Sequence, residues 1–450
     1  MHIEMPGGVR TIINTIISKG YDAYLVGGSI RDVLLGKDPK DYDIATSATP
    51  EAIVSMFHKT VKTGIKHGTV EVITEDGAFD VTTFRTEEGY IKKRYPESVT
   101  FIEDLKEDLR RRDITINALA YNEEKGLIDP FNGYADLRHR LIRAVGHPVE
   151  RFKEDALRIL RAVRLATVLD FNIEEHTLLS IIEEMDGLRF ISVERIREEL
   201  NNILMSDNPR RGMEMLFDLG LAKYVLPELL PMANFNQYNV HHDRDVLAHT
   251  LEVVNNCPKD LVIRLAALFH DSGKPRTFTL DEDGVGHFYG HERISEEIVT
   301  ACLTRLKYNN RTIHLVARLV GLHMVSPSMH NEVKMKKFLT RLGPENLPLF
   351  LELKRADHGG KPDSGDSHLD KLSLFEERMR NIIERNDPLT TKDLALNGDD
   401  LKAIGIRSGP RMGKILQGLL ELVLESPSYN TKEKLFSYLQ KEKLDDRISD

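Results

Sequence analysis

The chain is 450 residues long, 41% hydrophobic and 30% charged, with a formal net charge of −9. That length exceeds what one core usually supports and predicts at least two domains, while the acidic balance argues against a protein that coats nucleic acid indiscriminately and still permits a local basic groove. No apolar run approaches the roughly 18 residues of a membrane span, the start MHIEMPGGVR lacks the basic and apolar regions of a signal peptide, and Cys257 and Cys302 cannot build a disulfide framework, so a cytoplasmic protein with reduced thiols is expected.

In chain order, the pattern predicts a helix over 9–19, a strand over 22–27, a helix over 29–35 and a strand over 41–45. The turn Gly27-Gly28-Ser29 between strand and helix can set backbone N–H groups against a phosphate, although such turns are common. Arg31 then pairs either with a phosphate or with Asp32. Asp41 and Asp43 are spaced i, i+2, which in a strand puts both carboxylates on one face about 6.5 Å apart at Cα, within reach of shared Mg²⁺ ions. A hairpin follows, Thr69–Thr74 and Ala78–Phe84 around Glu75-Asp76-Gly77, and it places Asp80, Thr82 and Phe84 on one face, where Asp80 can join the acidic pair.

The segment Arg85–Glu107 is polar and highly charged, and includes Arg94-Tyr95-Pro96. Basic residues then cluster at Arg110, Arg111 and Arg112, at Arg138, Arg140 and Arg143, and at Arg158, Arg161 and Arg164, giving the first half the stronger phosphate-binding potential. Asp113 can cap a helix beginning ITINALAY. From Glu150 the pattern turns helical, with Leu157, Ile159, Leu160 and Val163 on a largely buried helix. On that helix Asp155 and Arg158 stand i, i+3 and face the same way. The carboxylate can accept from the exocyclic amine of cytosine or adenine and the guanidinium can donate to the ring edge; the alternative is a surface salt bridge between the two.

The remainder reads as mostly helical. His249, the adjacent His270-Asp271 and Asp357 supply the imidazoles and carboxylates a divalent metal accepts, and His291 and His323 extend the set toward a second ion. His358–Ser367 reads as a linker, Ser408-Gly409-Pro410 as a helix start before the basic Arg411 and Lys414, and the last ten residues as a frayed end.

Three acids on adjoining strands behind a glycine turn suit a nucleotidyltransferase palm, and LVGGSIRDVLLG followed by DYDIAT resembles the head of class II tRNA nucleotidyltransferases and the similar bacterial poly(A) polymerases. RRDITINALAYN, DPFNGYADL, EDALRILRA and ISVERIREEL resemble that family's later blocks in the same order, over roughly residues 20 to 220. The resemblance implies an α+β fold, with a polymerase-beta-like head at 1–143, a helical neck with the base-selecting helix at 144–205, a helical body with an HD domain at 206–380, and a helical tail contacting tRNA at 381–450. It implies Mg²⁺ on catalytic Asp41, Asp43 and Asp80. Nucleotide contacts fall to Gly27, Gly28, Arg31, Arg112, Asp113, Asn117, Asp155, Arg158 and Arg161, and RNA contacts to Arg411 and Lys414. NVHHDRDVLAHTLEVV, LAALFHDSGKP and GHERISEE resemble an HD domain, implying a second divalent metal on His249, His270, Asp271 and Asp357. The implied activity is template-independent addition of CCA to the tRNA 3′ end from CTP and ATP. A-only addition, CC-only addition, a poly(A) polymerase and an HD phosphohydrolase are the alternatives. The family's CCA-adding members carry a flexible loop where Arg85–Glu107 lies, and here it is undeleted.

Overall fold

Val9, Ile12, Ile13 and Ile16 repeat at helical spacing, and the helix α1 (Gly7–Ser18) buries all four against the sheet that follows. The computed structural model describes residues 2–91, 95–235, 245–326, 328–359 and 366–441. It divides into two compact units, Met1–Leu230 and Pro231–Asp450.

In the first unit a seven-stranded mixed sheet forms from β1 (Ala23–Val26), β2 (Asp43–Thr46), β3 (Thr60–Gly64), β4 (Thr69–Thr74), β5 (Gly77–Thr83), β8 (Ala120–Asn122) and β9 (Gly126–Ile128) in the order β3-β4-β5-β2-β1-β8-β9. β2 and β5 are parallel, with Ile44 opposite Val81, and this register brings Asp43 beside Asp80. Ala23, Leu25, Ile44, Val70 and Val81 bury one face, while Tyr24, Val26, Ala45 and Phe84 pack on the other, the face that carries Asp43 and Asp80 at its open edge. The helix α2 (Gly28–Leu34) starts directly after β1, and α3 (Pro50–Met56) is capped by Thr49.

The expected hairpin and first elements stand within a residue or two, but Asp41 lies outside the strand, which begins at Asp43. In the polar segment after Phe84, β6 (Arg85–Ile91) and β7 (Tyr95–Phe101) pair antiparallel on either side of residues 92–94, and α4 (Leu105–Arg110) follows. Arg94 lies outside the described residues. No helix forms over ITINALAY, because Thr115–Asn117 makes one 3₁₀ turn and the chain then extends into β8. After α5 (Gly133–Arg138), the expected continuous helix is two, α6 (Pro148–Glu154) and α7 (Leu157–Leu169), broken at Asp155 with φ −140° and ψ 104°. The pattern misses the break because the apolar residues flanking it are buried on both sides. Helices α8 (Glu175–Glu184), α9 (Val193–Leu204), α10 (Pro209–Asp218) and α11 (Ala222–Val225) complete the unit.

The second unit holds α12 (Val246–Asn256), α13 (Leu261–Phe269), α14 (Lys274–Thr277), α15 (His291–Arg305), α16 (Asn310–Leu322), α17 (Glu332–Leu342), α18 (Leu347–Gly359), α19 (Asp366–Glu384), α20 (Gly398–Ala403), α21 (Pro410–Glu425) and α22 (Lys432–Lys441). The sequence of α13, LVIRLAALF, is apolar nearly all round, and the helix is accordingly central, buried from Ile263 to Phe269. The expected linker begins too early, since Asp357 and His358 are buried in α18; residues 360–365, 236–244 and 442–450, with the expected frayed end, lie outside the described residues. Among the described residues no helix is long and apolar enough to cross a membrane. Both cysteines are buried and free.

Candidate active site and a buried histidine–aspartate centre

In the first unit β1 delivers the chain to Gly27, whose φ of 81° favours glycine. A Cβ there would also stand 3.3 Å from the Arg112 guanidinium and 3.5 Å from the Asp43 carboxylate, so the glycine lets the backbone approach both. A cavity of about 580 Å³ opens beside it. Eight arginines line it, Arg31, Arg85, Arg111, Arg112, Arg158, Arg161, Arg164 and Arg195, against four acids, Asp43, Glu87, Asp113 and Asp155. That excess of cations at a strand-to-helix turn suits a polyanion such as a triphosphate.

The acidic edge has the opposite character. Burial lifts the Asp43 carboxyl above the usual range, Arg112 opposes the shift, and the charges of Asp80 and Asp41 add to it. Of the three acids Asp43 alone lines the cavity, and among the described residues the three carboxylates are not gathered as closely as the ligand groups of the second unit.

The arginines are held in place by buried partners. Burial pushes the Asp113 carboxyl up, but Arg161, donating at 2.6 Å, holds it well below the usual range. Asp113 also accepts from the backbone N–H of Ile114 at 2.8 Å and from Asn117 at 3.4 Å, while Asn117 accepts from Arg31 at 2.8 Å. Arg31 pairs with Asp32 as well, at 2.8 Å. Arg112, its charge disfavoured by burial, lies 3.5 Å from Asp108.

Asp155 and Arg158 do not share a helix face: the Arg158 N–H meets the Asp155 carbonyl at 3.0 Å, but the two side chains take different partners. Asp155 sits in the break before α7, where it accepts from the Leu157 N–H at 3.0 Å and from Arg195 at 2.7 and 3.3 Å. Arg158, on α7, donates to the carbonyls of Arg151 at 3.1 Å and Arg111 at 2.8 Å and to Glu154. Both still line the cavity. Of the expected basic clusters, Arg111 and Arg112 and the Arg158, Arg161 and Arg164 series line it. Arg140 and Arg143 do not, being paired with Asp170 and with Asp136 and Glu174. Arg195 was missed as a site residue, although ISVERIREEL drew attention to its helix.

In the second unit, Asp271 stands between two pairs of imidazoles. Its Oδ2 lies 3.2 Å from His270 Nε2 and 3.8 Å from His249 Nε2, and its Oδ1 lies 3.3 Å from His291 Nε2 and 3.7 Å from His323 Nε2. Asp357 Oδ1 is 3.3 Å from His249 and 3.8 Å from His270. The Nδ1 atoms of His270, His291 and His323 meet the carbonyls of Ala267, Phe288 and Val320 at 2.7, 2.8 and 2.7 Å, which turns each Nε2 toward Asp271 as metal-ligating histidines are turned. Two groups, His249–His270–Asp271 and Asp271–His291–His323, each bring three ligand atoms within 4.8 Å of one another. Burial and the charge on His270 pull His323 down to about 4, leaving it neutral; burial opposes the charge on Asp271, yet His270 and Lys274 hold its carboxyl far below the usual range. Gly273 makes the close packing possible, because a Cβ there would meet the His291 carbonyl at 2.3 Å.

Arg411 and Lys414 are exposed near the start of α21, Arg411 in its first turn and Lys414 just beyond it, and Gly409 precedes the helix.

A mixed sheet with a glycine turn, acids on neighbouring strands and an arginine-lined cavity defines the first unit as a nucleotidyltransferase head. Residues 23–143 match the family model "Poly A polymerase head domain", residues 170–232 the model "Probable RNA and SrmB- binding site of polymerase A", and residues 288–439 the model "tRNA nucleotidyltransferase domain 2 putative". The CCA-adding enzyme of Levilactobacillus brevis is 35% identical over 429 residues, covering 95% of both chains, and that of Lactobacillus johnsonii is 33% identical over 432 residues, also covering 95% of both. The crystal structure of the Bacillus stearothermophilus CCA-adding enzyme in complex with CTP superimposes with a TM-score of 0.72 at 30% identity, over 98% of each chain. The chain belongs to the CCA-adding enzyme family of tRNA nucleotidyltransferases.

Proposed function

We infer that this protein adds CCA to the 3′ end of tRNA from CTP and ATP, releasing pyrophosphate. The observation that carries the reading is the cavity that sets the carboxylate of Asp43 opposite a wall of arginines, within a chain that aligns with CCA-adding enzymes over 95% of its length. In the reaction the tRNA 3′-hydroxyl forms a bond to the α-phosphorus of the nucleotide and the bond to pyrophosphate breaks. Asp41, Asp43 and Asp80 would hold Mg²⁺, and divalent ions bound there would neutralise the reacting phosphates and favour the hydroxyl's deprotonated form. Gly27, Gly28, Arg31, Arg112, Asp113 and Asn117 hold ribose and triphosphate in this reading.

Base choice falls to Asp155 and Arg158, with Arg161 fixing Asp113 beneath them. Arg195 orients Asp155 so that lone pairs remain for an exocyclic amine, because an ionised carboxylate offers about four acceptor positions. Uracil and guanine present the wrong edge. Arg411 and Lys414 would meet the tRNA backbone at the start of α21. The functional division is a head at 1–143, a neck at 144–205, a body at 206–380 and a tail at 381–450, and the protein works in the cytoplasm with its tRNA.

The test is incorporation with Mg²⁺ on tRNA transcripts ending at the discriminator base, at C and at CC, with CTP and ATP separately and together. All three becoming CCA-ended and stopping there is the expected result. AMP entering only the CC-ended transcript means an A-adding enzyme, a stop at CC means a CC-adding enzyme, and unlimited A addition means a poly(A) polymerase.

The buried centre favours a second activity beside the first. Its donor set, four imidazoles and two carboxylates with Nε2 atoms turned inward, fits divalent metal, and we assign it as an HD-type phosphohydrolase site on His249, His270, Asp271 and Asp357, extended by His291 and His323. A metal there would supply an activated water at neutral pH. Metal-dependent hydrolysis of a nucleoside 2′,3′-cyclic phosphate that vanishes in His270→Ala is the expected result; hydrolysis that survives in that variant overturns the assignment.

A further inference from the structure

The buried centre forms the floor of a cavity of about 430 Å³ whose mouth has a different chemistry. His270, Asp271, His291, His323 and Asp357 line the floor, and His287, Tyr289 and Met324 line the mouth. Tyr289 is 80% exposed and Met324 is 56% exposed. Two large apolar side chains held in water on the rim of one polar cavity mark a surface for an apolar or aromatic ligand group.

Tyr289 is not left loose. Its ring stacks on His287, with centroids 5.3 Å apart and planes 8° from parallel. His287 is fixed in turn, closing the small hairpin Thr279–Leu280 and Gly286–His287 and bonding Asp281 at 2.7 Å through Nε2. Behind the same segment Phe288 packs on Phe278 at 5.6 Å and on Phe235 at 6.5 Å. The tyrosine therefore presents a pre-oriented ring, which lowers the entropy lost when something stacks on it.

We propose that Tyr289, backed by His287 and flanked by Met324, is a base-stacking subsite, so that this cavity takes a nucleoside phosphate with its phosphate toward the histidine–aspartate floor. The proposal rests on the phosphohydrolase reading of that floor. Stacking on an aromatic face tolerates any base, so the subsite distinguishes nucleotides from other phosphoesters rather than one base from another.

The chain contains no tryptophan, so Tyr289→Trp in the full-length protein creates a lone fluorescent reporter at the mouth, undisturbed by nucleotides bound elsewhere. With Mn²⁺ present, AMP and CMP should quench it saturably while ribose 5-phosphate leaves it unchanged. Equal response to all three, or none to the nucleotides, overturns the subsite. Equilibrium dialysis with Mn²⁺ is read as the difference between the full-length protein and its His270→Ala variant, so that metal bound in the head cancels: no difference with intact AMP quenching sinks the metal reading and keeps the subsite, whereas a difference without quenching does the reverse. In hydrolysis, Tyr289→Ala should raise KM for a nucleoside phosphoester about tenfold with kcat little changed, and Tyr289→Phe should restore it. An unchanged KM in Tyr289→Ala also overturns the proposal.

Discussion

The two centres treat charge in opposite ways. In the head, Asp43 as a residue is solvent-accessible, while the protein atoms crowding its carboxyl and the charges of Asp80 and Asp41 lift it above the usual range, so its negative charge is not compensated from within. In the second unit, Asp271 is 3% exposed and surrounded by imidazoles and Lys274, whose Nζ lies 2.8 Å away, so its charge is balanced from within. A site that must take up and release a triphosphate each turnover benefits from incomplete charge compensation, because a fully neutralised pocket would gain little by binding.

The sharpest way to break that contrast is Asp43→Ala. It should lower nucleotide incorporation by at least a thousandfold while circular dichroism and thermal unfolding stay near those of the parent, because the residue removed is accessible and repelled by its neighbours. Near-normal incorporation would sink the assignment of the acidic edge. The counterpart is His270→Ala, expected to abolish metal retention in the second unit, measured by elemental analysis after gel filtration, while CCA addition stays within about twofold. A large loss of incorporation with the head still folded would mean that the centres are not functionally separate.

Arg195→Ala tests how the arginine wall serves base choice. Releasing Asp155 from this two-bonded ion pair should raise misincorporation of UMP or GMP relative to CMP and AMP about tenfold, with a smaller change in kcat for the correct nucleotides. Unchanged fidelity would leave Arg195 a purely structural partner.

The smallest effect concerns stability. Asp113 is held below the usual carboxylate range by Arg161 although burial acts against it, so its ion pair stabilises the fold fully above about pH 4, the unfolded carboxylate's range, and that contribution fades as the pH falls through the lower folded value. Asp113→Asn should cost about 1–2 kcal/mol near neutral pH, at the low end for a buried pair because the Arg161 side chain is 38% exposed and partly screened. Thermal unfolding from pH 7 to pH 3 should show the parent losing more stability than the variant; parallel curves would refute the linkage.

Local signals were legible in the sequence where function sits within one or two elements. Gly27, Gly28 and Asp43 span one strand–turn–helix–strand unit and His270-Asp271 follows one apolar helix, so short motifs and the family resemblance they carry singled them out, whereas Asp41, expected on the same strand face as Asp43, precedes the strand. The expected placement of Asp155 and Arg158 on one helix face failed because helical period continues across the break at Asp155, where an extended backbone residue separates two helices. The segment after Phe84 differed for another reason: in sequence it is polar and charged, without the apolar alternation that marks a half-buried strand.

By itself the sequence determined the apolar periods that build α1, the sheet and α13, and the identity of the groups able to do chemistry. Only the tertiary structure decided their partners. The parallel pairing of β2 with β5 put Asp80 beside Asp43, α9 carried Arg195 to Asp155 across 40 residues, and four helices converged so that each oxygen of Asp271 faces two imidazoles. Such contacts follow from which buried surfaces pack together, and packing leaves no mark in the spacing of residues along the chain.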